Sequence, residues 1–220
     1  MCLTDYRAAI FDLDGTLADS MRAWDHICRD WLTSRGKAAE DNLEQNIKQM
    51  TITESAEYVI CTYGFTLEPS QIKAEWEAMV IQQYKETIPL KDGAEELVRM
   101  LKAKGKQLAI ATSCFPAACE AILKRFKIRD CFSVIVYTDE VSRDKTYPDL
   151  YLTVARRLAV PPESCVVFED LPAALSGVRA AGMGMAAVYD DSSAEAWQRF
   201  KQAADFAIYS FRELAKRSIT

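Results

Sequence analysis

The sequence predicts an α/β protein: a parallel sheet flanked by helices, interrupted after its first strand by a wholly helical insertion. Three observations carry this. Ala8-Ala9-Ile10-Phe11 forms a short apolar run of strand length. Further runs of that kind recur only after residue 88, with helical patterns between them. The stretch from Ser20 to about Ile88 contains no comparable run and reads as helices throughout.

Taken in order, the insertion opens with Trp24, Ile27, Cys28 and Trp31 on one helical face, which Gly36 can end. Ala56, Val59, Ile60 and Tyr63 define a second face, with Gly64 as its stop and Thr51 and Glu54 spaced as a capping box. Ile72, Trp76, Met79 and Val80 mark a third helix after Pro69. These aromatic and methionine positions are expected to form the insertion's own core.

Beyond it, Ala94, Leu97, Val98 and Leu101 share one face of a helix. Strands are then expected at Leu108 to Ala111, Val134 to Val136, Cys165 to Phe168, Met185 to Val188 and Phe206 to Ile208. Strand and helix alternation of this kind implies parallel pairing. Pro116, Pro148 and Pro172 are each expected to open a helix, where the missing N–H is not required.

Composition narrows the function classes. The 220 residues carry a net charge of -5 with no basic stripe, which argues against nucleic acid or an anionic membrane surface as partner. Seven cysteines, an odd number without a C-x-x-C pair, read as reduced thiols in a cytoplasmic protein. The single His26 excludes a His-rich zinc site and argues against a Ser-His-Asp hydrolase. No apolar run approaches the ~18 residues of a membrane span, and the first seven residues lack the apolar stretch of a signal peptide.

The chemistry is concentrated in Asp12-Leu13-Asp14-Gly15-Thr16, directly behind the first strand. Strand alternation would point both carboxylates the same way, with Gly15 turning the chain. Such a pair needs a cation, and Mg²⁺ suits sparse oxygen ligation beside phosphate. The competing reading is a helix cap and turn. A calcium loop fails, because its twelfth position, which requires Glu, is Ala23. Ligands of parallel sheets bind at the carboxyl ends of the strands. The other expected ends carry Thr112-Ser113, then Lys145 beyond the third strand, and Glu169-Asp170. Lys145, between Arg143 and Asp144, otherwise reads as a solvated loop charge, and Glu169-Asp170 as an acidic pair favoured by a helix dipole.

Together these motifs resemble the haloacid dehalogenase-like hydrolases, in the subgroup with a helical cap that includes phosphoglycolate-type phosphatases and beta-phosphoglucomutase. The likeness runs from Asp12-Leu13-Asp14-Gly15-Thr16 through Thr112, Lys145 and Glu169-Asp170 to Ala180-Ala181-Gly182-Met183. It implies a Rossmann-like core of residues 1–17 and 89–220 and a helical cap of residues 18–88. It further implies that Asp12 becomes an aspartyl-phosphate and that Asp14 moves the protons. Mg²⁺ would be held by Asp12, the Asp14 carbonyl, Asp170 and, directly or through water, Glu169. Thr112, Ser113 and Lys145 would bind the phosphoryl group.

Departures from the family pattern are Thr146 for the proline after the lysine, Leu171 for Ser and Ala174 for Gly. The basic residues that mutase relatives carry on the cap and after the second motif are missing at Met50-Thr51-Ile52-Thr53 and Cys114-Phe115. The expected protein is therefore a Mg²⁺-dependent phosphatase of a small phosphorylated metabolite. The alternatives are a phosphosugar mutase and a non-catalytic binding protein on the same fold. A dehalogenase fits Asp14 and Mg²⁺ poorly. Met21, Arg22 and Thr53 are candidates for selecting the substrate, and a monomer or weak homodimer is expected.

Overall fold

Strand β1 (Ala8–Phe11) is apolar at every position because both of its faces are covered. The computed structural model describes residues 5–47, 50 and 52–217. Around β1 lie β2 (Gln107–Thr112), β3 (Phe132–Tyr137), β4 (Cys165–Glu169), β5 (Gly184–Val188) and β6 (Phe206–Ile208). All are parallel, in the order β3-β2-β1-β4-β5-β6. The chain builds outward from β1 through β2 to β3, then returns to place β4 on the other side of β1. The seam between β1 and β4 is thus the topological switch point, where parallel sheets of this order bind ligands.

Alternation distributes the strand residues between two layers. Ala8, Ile10, Ala109, Ala111, Cys165, Val167, Met185 and Ala187 share one buried cluster with Leu150, Tyr151 and Val154 of α7 (Asp149–Leu158) and Val178 of α8 (Ala174–Ala180). Toward the other face point Phe11 and Phe168, stacked at 4.6 Å and 9°, with Phe211 at 6.3 and 5.9 Å. This second layer includes α5 (Ala94–Ala103), whose Ala94, Leu97, Val98 and Leu101 are all buried as the periodicity predicts.

The chain divides into two compact units: Met1–Asp19 with Pro89–Thr220, and Ser20–Ile88. The second is helical, with α1 (Met21–Ser34), α2 (Leu43–Ile47), α3 (Ile52–Tyr63) and α4 (Pro69–Glu86). Trp31 is its centre, meeting Phe65 at 4.8 Å and Trp76 at 6.2 Å, edge to face in both cases. Trp24 is half-buried and donates its indole N–H to Tyr84. The expected aromatic faces therefore serve packing within this unit. Thr51 of the expected capping box lies outside the described residues; at α4 the Gln71 side chain accepts the Glu68 N–H at 2.8 Å. Helix α2 was not visible in the sequence because five residues are too few to establish a period.

The expectation for the prolines holds at one position. Pro116 is the first residue of α6 (Pro116–Arg125), whereas Pro148 is the N-cap of α7 and Pro172 lies two residues before α8. A helix cannot be dated to a proline alone, because the same fixed φ suits the turn that precedes it. Among the described residues no helix is long and apolar enough to cross a membrane.

The stacked pair spans the switch point, so Phe168→Ala should leave a cavity under the site. We expect a loss of about 3–5 kcal/mol in urea unfolding. A loss below about 1 kcal/mol would show that the second layer is not what binds β1 to β4.

Candidate active site

The carboxyl ends of β1 and β4 are joined by a backbone bond from Asp12 N–H to the Phe168 carbonyl, 2.9 Å. That bond brings Asp12 beside Glu169 and Asp170. Carboxylate oxygens of the three lie within 4.8 Å of one another, and all three residues are buried. Lys145 answers the charge. Its ammonium is 2.6 Å from Asp12 Oδ1 and 3.0 Å from Glu169 Oε2. At 7% exposure Lys145 is no solvated loop residue, which excludes that alternative. Burial works against its ammonium, and the charges of Asp12 and Glu169 overcome this and raise its pKa.

Each acidic side chain is also held locally. Thr16 donates its hydroxyl to Asp170 Oδ1 at 2.8 Å, and Ser193 donates to the Asp170 carbonyl at 3.1 Å. Leu171 N–H donates to the Glu169 oxygen that faces away from Lys145, 3.3 Å. Gly15 meets two demands at once. Its φ is +76°, and a Cβ would lie 2.3 Å from Asp170 Oδ2, so any side chain would displace the carboxylate. Glu169 is the last residue of β4, not the first beyond it, and is fully buried.

Burial, with Asp12 close by, raises the Asp170 carboxyl to about 7 and holds Glu169 well above the ordinary carboxylate range. Three carboxylates against one ammonium leave two formal negative charges unbalanced, and every donor is a carboxylate oxygen. The donor set suits a hard divalent cation.

Asp14 departs from the sequence reading. The chain leaves β1 at Phe11, so strand alternation no longer governs residues 12 to 14, and the Asp14 carboxylate is outside the cluster around Asp12. It faces Cys114, whose thiol is pushed up by burial and by the Asp14 charge. The carboxylates that crowd Asp12 come from β4 instead.

At the end of β2, Thr112 is fully buried and its hydroxyl accepts the Cys114 N–H at 3.0 Å. Its own proton has no acceptor among the described residues, so it remains to be donated. Ser113 beside it is exposed. In the helical unit Met21 is half-buried and Arg22 and Thr53 are exposed. Lys73 donates to Thr53 Oγ at 3.1 Å, a cation beside that position which the spacing of the motif did not reveal. Thr16 and Ser193 were missed as supports of the acidic pair, though Thr16 had a signal in its place within the first motif; Leu171 stands at a position that the family resemblance marks as orienting the acidic loop.

Lys145→Met should leave the carboxylates crowded without their cation. At about pH 8 we expect a loss near 3 kcal/mol in chemical unfolding. Raised carboxyl pKa values mean that the folded chain binds more protons than the unfolded one. That contribution to stability is present below the unfolded carboxyl range and is lost as pH rises toward 7. The deficit of the variant should therefore shrink at about pH 5, and a deficit independent of pH would contradict this account.

The family model described as haloacid dehalogenase-like hydrolase matches residues 9–188. The phosphorylated carbohydrates phosphatase of Thermotoga maritima is 30% identical over 178 residues, covering 80% of this chain and 82% of the relative. The bifunctional riboflavin kinase/FMN phosphatase of Arabidopsis thaliana is 33% identical over 181 residues, 81% of this chain. The chain spans only 47% of that relative's length. The crystal structure of CbbY from Rhodobacter sphaeroides in complex with phosphate superposes with a TM-score of 0.78 at 26% identity, covering 95% and 96% of the two chains. With β1 followed by a helical unit and the core resumed at Pro89, the chain belongs to the haloacid dehalogenase-like hydrolases, in the subgroup with a helical insertion after the first strand.

Proposed function

We propose that this hydrolase is a Mg²⁺-dependent phosphatase that acts on small phosphorylated metabolites, sugar phosphates among them, through an aspartyl-phosphate on Asp12. One observation carries the reading: a buried Asp12 held 2.6 Å from the Lys145 ammonium at the switch point, with Glu169 and Asp170 beside it. The relative from Thermotoga maritima named for phosphorylated carbohydrates supports the substrate class.

In this reading an Asp12 oxygen attacks phosphorus in line as the bond to the leaving oxygen breaks. Asp14, outside the crowded cluster, gives that oxygen its proton and later takes one from the water that attacks the aspartyl-phosphate. Inorganic phosphate leaves and the Asp12 carboxylate is restored. The Thr112 proton is donated to a phosphoryl oxygen, and Lys145 offsets the repulsion between an anionic nucleophile and an anionic substrate. Asp12, Glu169, Asp170 and the Asp14 carbonyl would hold Mg²⁺, which supplies the remaining positive charge to the transferring group.

Asp12→Asn should lower hydrolysis of an aryl phosphate by at least ~10³-fold with the fold intact by circular dichroism. Retention within about tenfold would rule out covalent catalysis by Asp12. Beta-glucose 1-phosphate should yield inorganic phosphate without a bisphosphate activator. Glucose 6-phosphate formed without matching free phosphate would overturn hydrolysis in favour of transfer.

Metal and protons compete for the same oxygens. With Asp170 raised to about 7 and Glu169 held well above the ordinary carboxylate range, Mg²⁺ must displace protons at low pH and fewer as pH rises through 7. Mg²⁺ should raise the thermal midpoint more at about pH 8 than at about pH 5.5. Equal shifts at the two values would argue against binding at these carboxylates.

A further inference from the structure

The segment that carries Lys145 crosses α8 at a distance no side chain would allow. A Cβ on Gly177 would lie 2.2 Å from the Lys145 carbonyl oxygen, 2.6 Å from that of Tyr147 and 3.0 Å from the Thr146 carbonyl carbon. Gly177 has no positive φ, so space is what the position requires. Glycine inside a helix is disfavoured relative to alanine, a cost that the close approach explains. Beside it, Ser176 donates its hydroxyl to the Thr146 carbonyl at 2.9 Å. On the far side the segment is turned back on itself: Thr146 donates its N–H and hydroxyl to Asp144 Oδ1 at 2.9 and 2.5 Å. The main chain at Lys145 is thereby fixed between α8 and the Asp144 turn, and the side chain leaves it to reach Asp12 and Glu169.

We propose that Gly177 and Ser176 are positioning residues for Lys145: α8 is the seat against which the lysine segment is set. Neither residue reaches the reacting groups. Both act through the ammonium, and the proposal rests on the reading of Lys145 as the cation of phosphoryl transfer. The backbone-to-backbone fit makes the seat intolerant of even one methyl group, whereas the hydroxyl of Ser176, which also lies 3.1 Å from the Ala173 carbonyl, adds one bond shared between the two carbonyls.

The test is a cycle of Gly177→Ala and Ser176→Ala, each made in the wild type and in Lys145→Ala, assayed on an aryl phosphate with Mg²⁺. Gly177→Ala should lower kcat about tenfold with KM changed less than about threefold, since displacement of a charged group by a fraction of its contact distance is felt in the transition state. Ser176→Ala should lower kcat about twofold to threefold. In the Lys145→Ala background both should be silent, because residues that act only through one side chain lose their effect with it. Equal losses in the two backgrounds would overturn the proposal in favour of a general packing role. If Gly177→Ala fails to fold, Ser176→Ala carries the same cycle. A crystal structure of either variant that folds reads the seat without substrate: in Gly177→Ala the ammonium should lie beyond hydrogen-bond reach of Asp12, and in Ser176→Ala the distance should lengthen. An unchanged 2.6 Å contact overturns the proposal. A wild type inert toward every phosphate ester would sink the phosphatase reading, and the crystallographic arm would still decide the seat.

Discussion

Crowding of negative charge at the end of two adjacent strands is the constraint on which the rest of this structure turns. Asp12, Glu169 and Asp170 repel one another in a site too buried for water to screen them. One ammonium and a set of fixed donors oppose that repulsion: Lys145, the Thr16 hydroxyl and the Leu171 N–H. Such an arrangement is no source of stability, since buried ion pairs seldom repay their desolvation. The apolar layers beneath must supply it. Phe11 and Phe168 lie at the ends of the two strands and pack with Phe211, so an aromatic cluster backs the crowded carboxylates.

How far the sequence disclosed this depended on the range of the interaction. Strands β1, β2, β4 and β5 were legible because sheet residues covered on both faces leave continuous apolar runs. The first motif was legible because five residues carry it. The carboxylate neighbours of Asp12, Glu169 and Asp170, were legible through the family resemblance and not through local spacing. A carboxylate two residues away looked like the natural neighbour, and the true neighbours are brought in by β4, with the Thr16 bond to Asp170 spanning 154 residues. Spacing along a strand predicts facing only while the chain remains a strand, and here it turns one residue too early. Lys145 had charged neighbours in sequence and carboxylates in space, which no local pattern distinguishes from a solvated loop. Gly177 was equally silent, because its meaning lies in which backbone passes over it.

The helical unit shows the complementary case. Its apolar periodicity was read correctly as packing, and Trp31 and Trp76 confirm it by meeting each other. Short elements such as α2 escape any periodic test, and a side chain such as Lys73 enters the neighbourhood of Thr53 only once two helices are set together.

The two ends of that unit meet. Asp19 N–H donates to the Pro89 carbonyl at 3.0 Å and Lys91 N–H to the Leu17 carbonyl at 2.8 Å, with Ala18 and Leu90 bridged antiparallel. The helical unit therefore enters and leaves the core through a single paired stem, as a hairpin loop would. For the sheet, everything between the two arms of the stem is equivalent to one closed connection. Such a stem ties residues 17–19 to residues 89–91 independently of the helices between them, so a change in the length of the insertion reaches the strands only through the slow growth of the closure cost.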